Sequence, residues 1–283
     1  MKPAAFRAGL DPDWCPGCGN YGIVAALTRA FAELGLTPDR VALVSGIGCS
    51  AKTVHYLNAY GLHTLHGRGL PVAQGLKLAR PELTVIAIAG DGDGMGIGAG
   101  HFVGAGRRNV DLTYLLFNNE VYGMTKGQAA PTLELGAKPK GLARPNVQAR
   151  VNPLTLAYAA GFTFIARGFA FDTKGLAGLI AEAIRHPGLA LVEILQPCPT
   201  YNDLHPREWF AERIRPLAEE GYDPERAGPG AFLEKAEAFG DRIPVGVFWR
   251  RRLPTFEERI GLVAGRDKPP AERARALLGA ARL

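Results

Sequence analysis

Residues 84–93 read TVIAIAGDGD, an apolar run rich in small and β-branched residues that stops abruptly at a glycine and an acid. A short apolar run with no polar alternation, closed by glycine, reads as a strand buried on both faces, and such strands belong to parallel sheets. Three more stretches have this form: VALVSGIGCS at 41–50, VDLTYLLFNN at 110–119 and LALVEILQPC at 189–198. Stretches with apolar positions at helical spacing lie around them: 21–34, closed by Gly35, and segments near 71–80, 98–107, 153–160 and 173–186. Strands and helices in alternation predict an α/β fold, a doubly wound and mostly parallel sheet. The expected organisation is one domain over 1–205 and a C-terminal extension over 206–283, with helices at PREWFAERIRPL and AERARALLGAARL packing on a partner. Residues 128–152, rich in proline, glycine and basic side chains, read as a long loop.

Open parallel sheets bind ligands beyond the carboxyl ends of their strands. Here those ends carry Gly48, Cys49 and Ser50; Gly90, Asp91, Gly92 and Asp93; Asn118 and Asn119; and Cys198. If the strands are neighbours, all these groups meet at one edge. A Gly-Asp-Gly turn lets the backbone approach a phosphate closely while presenting a carboxylate, and an asparagine from another strand end adds a second hard oxygen. With a backbone carbonyl, Asp91 and Asn119 could hold Mg²⁺ whose remaining ligands are diphosphate oxygens.

The chain has four cysteines, Cys15, Cys18, Cys49 and Cys198. WCPGCG at 14–19 is a Cys-x-x-Cys knuckle, preceding the first helix, whose glycines and proline force a tight turn and leave N–H groups free for ligated sulfur. Cys49 and Cys198 come singly, so any shared site must be assembled by the fold. Spacing leaves an iron–sulfur cluster, a zinc ion, a redox dithiol and buried free thiols all open.

Nearly half of the 283 residues are hydrophobic, yet no charge-free apolar run approaches the length of a membrane span. No hydrophobic leader precedes the knuckle, so the expected location is cytoplasmic and reducing, where a disulfide framework is not expected. The net charge of +6 is scattered, with Arg107-Arg108 and Arg250-Arg251-Arg252 the dense spots. Aromatic residues do not interleave with these charges, which argues against a nucleic-acid reader.

The segments WCPGCGNYGI (14–23), SGIGCSAK (45–52), HGRGLPVAQGLKLA (66–79), GDGDGMGIG (90–98), NVDLTYLLFNNEVYGMTKGQ (109–128) and VEILQPCPTYN (192–202) together resemble the thiamine-diphosphate-binding β subunits of 2-oxoacid:ferredoxin oxidoreductases, in particular the 2-oxoglutarate and broad 2-oxoacid branch. The resemblance covers roughly residues 10–205. It implies that Asp91, Asn119 and the Val121 carbonyl ligate Mg²⁺, that Gly92 and Asp93 line the diphosphate, that Gly90 contacts the cofactor, and that Gly123 and Met124 line the cofactor pocket. Ile47, Gly48, Cys49 and Ser50 would approach the cofactor, with His66 nearby. Cys15, Cys18, Cys49 and Cys198 match the family's ligands for one [4Fe–4S] cluster, which puts Cys49 in both sites.

The implied reaction is oxidative decarboxylation of a 2-oxoacid on the thiazolium ring, with the acyl group passing to coenzyme A and two electrons leaving singly through the cluster to ferredoxin. Thiamine enzymes need a glutamate from a second domain, and the sequence beyond 205 does not provide one. The resemblance therefore implies an α subunit, or a fused γα subunit, in an αβ or (αβ)2 assembly. Lys52 and Arg68 are candidates to pair with a substrate carboxylate, which favours 2-oxoglutarate, with pyruvate or a broad range next. Two other readings are a non-oxidative thiamine enzyme with a structural metal and a non-catalytic metal-binding assembly subunit; Cys49 inside the cofactor turn speaks for the electron-transferring subunit.

Overall fold

The computed structural model describes residues 1–262 and, beyond them, residues 271, 272, 275, 278 and 279. Its strands are β1 (Val41–Ser45), β2 (Tyr60–His63), β3 (Thr84–Gly90), β4 (Leu112–Asn118), β5 (Val121–Tyr122), β6 (Gln128–Ala129), β7 (Phe164–Phe169), β8 (Leu189–Leu195), β9 (Ile214–Pro216) and β10 (Ile243–Arg250). Eight of them form one sheet in the order β2-β1-β3-β4-β8-β7-β10-β9, while β5 and β6 make a small separate ribbon. From β2 to β7 every pairing is parallel; β10 then runs antiparallel to β7, and β9 parallel to β10.

The helices are α1 (Asn20–Glu33), α2 (Thr53–Tyr56), α3 (Gly69–Ala79), α4 (Ala99–Arg108), α5 (Pro153–Ala160), α6 (Thr173–Arg185), α7 (Arg207–Arg213), α8 (Pro229–Glu237) and α9 (Phe256–Arg259). Alternate residues of the central strands feed two cores. Leu115 and Phe117 face α1 and α6 with Ile23, Leu27, Phe31 and Ile180, whereas Tyr114 and Leu116 face α3, α4, α5 and α8 with Leu70, Phe102, Leu154 and Phe232. That two-sided burial is why these strands read as unbroken apolar runs. The Asn152 side chain caps α5, and the Asp172 side chain caps α6.

The four expected strands and five expected helices are all present. Four sheet strands carried no comparable signal: β2 is exposed along its length, β7 includes Arg167 and Gly168, β9 is a short stretch ending in Pro216, and β10 contains Pro244 and Gly246. PREWFAERIRPL is only half helical, because Arg215 precedes Pro216 and is steered to extended backbone, so α7 stops at Arg213 and β9 follows. The helix expected at 271–283 falls mostly outside the described residues. The earlier part of the tail joins the main body: Phe232 and Ala236 of α8 and Phe248 of β10 lie in the same core as Phe102 and Leu154. Between Ala130 and Asn152 there is neither helix nor strand, and the Asn146 amide holds that loop by donating to the carbonyls of Leu133 (2.9 Å), Glu134 (3.0 Å) and Gln148 (2.9 Å).

Candidate active site at the carboxyl edge of the sheet

After β3 the chain enters a π-helical turn, Gly92–Ile97, whose wide coil is carried by alternating glycines. A side chain at Gly92 would collide with the Tyr122 ring, and one at Gly94 with the Tyr114 hydroxyl. The turn and the loops after β1 and β4 enclose a cavity of about 260 Å³. Ile47, Gly48, Cys49, Ser50, His66, Gly90, Asp91, Gly92, Asp93, Asn119, Val121, Gly123 and Met124 all line it, joined by Phe117, Tyr122, Thr125 and Gln196.

Asp91 is 1% exposed, and no cation among the described residues pairs with it. Its Oδ2 accepts from the Glu120 N–H at 2.8 Å and the Thr132 hydroxyl at 2.5 Å. Burial, aided by the Glu120 carboxylate nearby, pushes its pKa up to about 7. A bound divalent cation would reverse that penalty. Asn119 Oδ1 accepts from the Val121 N–H at 3.1 Å, so the amide, the Val121 peptide and Asp91 are joined through one tight turn. Glu120 occupies its corner in the left-handed region at φ 67°, which carries both flanking residues into the cavity wall. The Ser50 hydroxyl is buried in that wall without a partner. A buried carboxylate with no cationic partner among the described residues, an unpartnered hydroxyl and a glycine turn with no room for side chains fit a magnesium diphosphate group.

Asp93 sits deeper. Its Oδ1 accepts from the N–H groups of Ile47 (3.0 Å) and Gly67 (2.6 Å) and lies 3.0 Å from His66 Nδ1. Burial raises its pKa, against the pull of those N–H groups and of His66. The bond to Nδ1 orients the imidazole and leaves Nε2 for whatever occupies the cavity.

The four cysteines converge. A Cβ at Gly123 would lie 3.6 Å from Cys49 Sγ and 3.9 Å from Cys198 Sγ. The Cys18 thiol is pushed up to about 12, first by burial and then by the charges of Cys198, Cys49 and Cys15. Cys49 is raised by burial and by Cys198 and Cys15. All four are free thiols, with Cys15 exposed. Trp14 Nε1 donates to the Cys49 carbonyl at 2.7 Å, and the Gly19 N–H donates to the Pro197 carbonyl at 3.3 Å, so the knuckle is tied to both of the other cysteine segments. Among the described residues no group of three or more His, Cys, Asp or Glu side chains is arranged to hold a single metal ion. Four free thiols within electrostatic reach of one another fit a group that binds them as thiolates, and a four-iron cube spreads its ligands wider than one ion does.

Two expected residues stand apart. Lys52 does not line the cavity; it pairs with Asp13, which also accepts from the Tyr56 hydroxyl at 2.5 Å. Arg68 is also outside the lining and contacts the His101 imidazole. Four lining residues were not singled out from the sequence, Phe117, Tyr122, Thr125 and Gln196; of these Gln196 donates to Cys18 Sγ at 3.3 Å while its Oε1 accepts from Asn119 at 3.0 Å, bridging the cysteine set and the Asp91 turn. Its signal was its place, at the end of β8 and two residues before Cys198.

Residues 46–194 match the thiamine pyrophosphate enzyme C-terminal TPP-binding domain, and residues 198–264 match the C-terminal domain of the pyruvate ferredoxin oxidoreductase β subunit. The chain is 52% identical over 271 residues to subunit beta of 2-oxoacid:ferredoxin oxidoreductase 2 from Aeropyrum pernix, covering 92% of this chain and 88% of that one. It is 44% identical over 254 residues to the 2-oxoglutarate synthase subunit KorB of Archaeoglobus fulgidus, covering 89% of each. A solved structure of 2-oxoglutarate:ferredoxin oxidoreductase from Magnetococcus marinus, with 2-oxoglutarate, coenzyme A and succinyl-CoA bound, superposes with a TM-score of 0.88 at 37% identity, covering 94% of this chain and 90% of that one.

Proposed function

This chain belongs to the β subunits of the 2-oxoacid:ferredoxin oxidoreductases, and on that premise we propose that it catalyses the coenzyme A-dependent oxidative decarboxylation of 2-oxoglutarate, with pyruvate and other 2-oxoacids next, jointly with an α or fused γα subunit in an αβ or (αβ)2 assembly. Ferredoxin is the electron acceptor of this reading. Thiamine diphosphate, when bound, supplies the carbanion and the electron sink for decarboxylation, and a [4Fe–4S] cluster on Cys15, Cys18, Cys49 and Cys198 supplies one-electron transfer.

The chain's own residues do the positioning. Asp91, Asn119 and the Val121 carbonyl would hold Mg²⁺, and Gly92 and Asp93 would line the diphosphate, with Gly90 in contact with the cofactor. Asp93 fixes the His66 ring so that Nε2 can accept or donate a proton at the reacting end of the cavity. Ile47, Val121 and Met124 keep that end apolar. The observation that carries the reading is Cys49, which lines the cavity while its sulfur lies beside Cys198 across the side-chain-free position of Gly123.

Anaerobic purification of the chain with its partner, followed by iron, sulfide and zinc analysis and electron paramagnetic resonance after adding 2-oxoacid, tests this. About four irons and four sulfides per chain, with a substrate-dependent signal, are expected. One zinc and no signal would leave a non-oxidative thiamine enzyme or a scaffold. Full turnover by the chain alone would remove the α subunit from the reading.

A further inference from the structure

Behind the cavity wall a line of buried polar side chains crosses the sheet. Thr132 Oγ1 stands 2.5 Å from Asp91 Oδ2 and 2.9 Å from Asn118 Oδ1. The Asn118 amide donates to Glu193 Oε1 at 2.7 Å, and Glu193 Oε2 accepts from Arg167 Nε at 2.7 Å. None of these five side chains belongs to a residue more than 7% exposed. Strand register creates the line, since Glu193 of β8 lies opposite Arg167 of β7 on one side and Leu116 of β4 on the other. At the far end the guanidinium also reaches the Ala236 carbonyl of α8 at 3.4 Å and lies 5.4 Å from the ring centroid of Phe248 in β10.

A buried ion pair in mid-sheet adds little stability over an apolar pair of the same size, so its position asks for another role. Its chemistry has a direction. The Arg167 guanidinium can only donate and Glu193 accepts from it, so the Asn118 amide turns its NH₂ towards Glu193 and its Oδ1 towards Thr132. The Thr132 hydroxyl has one proton to share between that carbonyl and Asp91 Oδ2, and the shorter contact, 2.5 Å against 2.9 Å, is the one to Asp91. Asp91 Oδ2 in turn is held between Thr132 and the Glu120 N–H, so the carboxylate cannot rotate without losing both contacts.

We propose that Thr132, Asn118, Glu193 and Arg167 form a positioning relay for the Asp91 carboxylate, and that this relay sets how tightly the chain holds its divalent cation. The inference rests on the reading of Asp91 as a magnesium ligand. It also gives the C-terminal tail a share in the site, through α8 and β10.

The test is titration of the chelator-stripped αβ complex with Mg²⁺ in the presence of thiamine diphosphate, followed by tryptophan fluorescence, with thermal unfolding measured in parallel. Thr132→Val, which keeps the shape and removes the hydroxyl, should weaken Mg²⁺ about tenfold, in the range found when partners of metal ligands are removed. Thr132→Ser should stay within about twofold of the parent. The double variant Arg167→Met with Glu193→Leu should unfold at the same or a higher temperature and still bind Mg²⁺ several-fold more weakly, which a purely structural pair would not do. If Thr132→Val binds Mg²⁺ like the parent, the relay is wrong even though the parent binds; if the parent itself shows no Mg²⁺-dependent binding, the functional reading falls as well. Should the double variant fail to fold, the two Thr132 variants decide.

Discussion

The two edges of the sheet use the same kinds of side chain to opposite ends. At the amino edge, Asn109 Oδ1 accepts from the Leu189 N–H (2.8 Å) and the Thr163 hydroxyl (2.9 Å), and its amide donates to the Pro254 carbonyl at 3.2 Å. Lys77 donates to the Leu83 carbonyl at 3.0 Å and pairs with Asp111 at 3.1 Å, and the Asp111 N–H donates to Glu257 at 3.1 Å. These groups spend their polarity on one another and so fasten the tail to the sheet. At the carboxyl edge Asp91 has no cationic partner among the described residues and the Ser50 hydroxyl has none of any kind. Polarity that is satisfied internally makes a fastening; polarity left aimed into a cavity makes a binding site.

The largest expected effect breaks the carboxyl edge alone. Asp91→Asn should cost at least a hundredfold in Mg²⁺-dependent thiamine diphosphate affinity, since removing one partner of a buried charge contact costs roughly 3–5 kcal/mol. Calorimetric titration of the complex measures this, and the unfolding temperature of the unliganded protein should not fall.

The next effect belongs to the amino edge. Burial, with Arg250 adding to it, pushes His186 down from 6.5 to about 4. The unfolded chain therefore takes up this proton near pH 6.5 and the folded one only near 4. The contribution is whole above pH 6.5 and drains away as the pH falls through that window. It amounts to about 3 kcal/mol at ~1.36 kcal/mol per pKa unit. Thermal unfolding across the window should show the loss, and His186→Gln should flatten it.

Gly188→Ala should cost about 2 kcal/mol of stability, as expected for a left-handed glycine given a side chain. Gly188 has φ +124°, and a Cβ there would come within 2.6 Å of Asn109 Oδ1. Urea unfolding measures this, and Mg²⁺ affinity should be unchanged. A fall in affinity would mean that the two edges are coupled.

The smallest effect sharpens the substrate side. Lys52 lies outside the cavity lining and is held by Asp13, so Lys52→Ala should lower turnover of 2-oxoglutarate and of pyruvate alike, within about twofold of each other. A loss about tenfold greater with 2-oxoglutarate would mean that Lys52 leaves Asp13 to meet the second carboxylate of the substrate.

The carboxyl edge was largely legible in the sequence because strand ends are local: GDGD, NN and SGIGCS each announce a turn where an apolar run stops. What stayed hidden depends on register between distant segments. Arg167 and Gly168 break the apolar run of β7, and only the pairing of β7 with β8 sets Arg167 against Glu193. Gln196 acquires its meaning from Cys18, which the fold brings to it from the other end of the chain. β2 gave no apolar signal because it is exposed throughout at the sheet's margin. Lys52 and Arg68 were selected by nearness in sequence, and their side chains turn to Asp13 and His101.

The glycines of the π-helical turn also bear on heredity. The Tyr122 ring fills the space where Gly92 would carry a side chain, the Tyr114 hydroxyl does so for Gly94, and the Tyr122 hydroxyl for Gly96. Every amino acid reachable from a glycine codon by one base change carries a Cβ. No single-step amino-acid replacement at these positions is mild, so this stretch should stand out in a saturation mutagenesis library as a run of positions where nearly every replacement is lost.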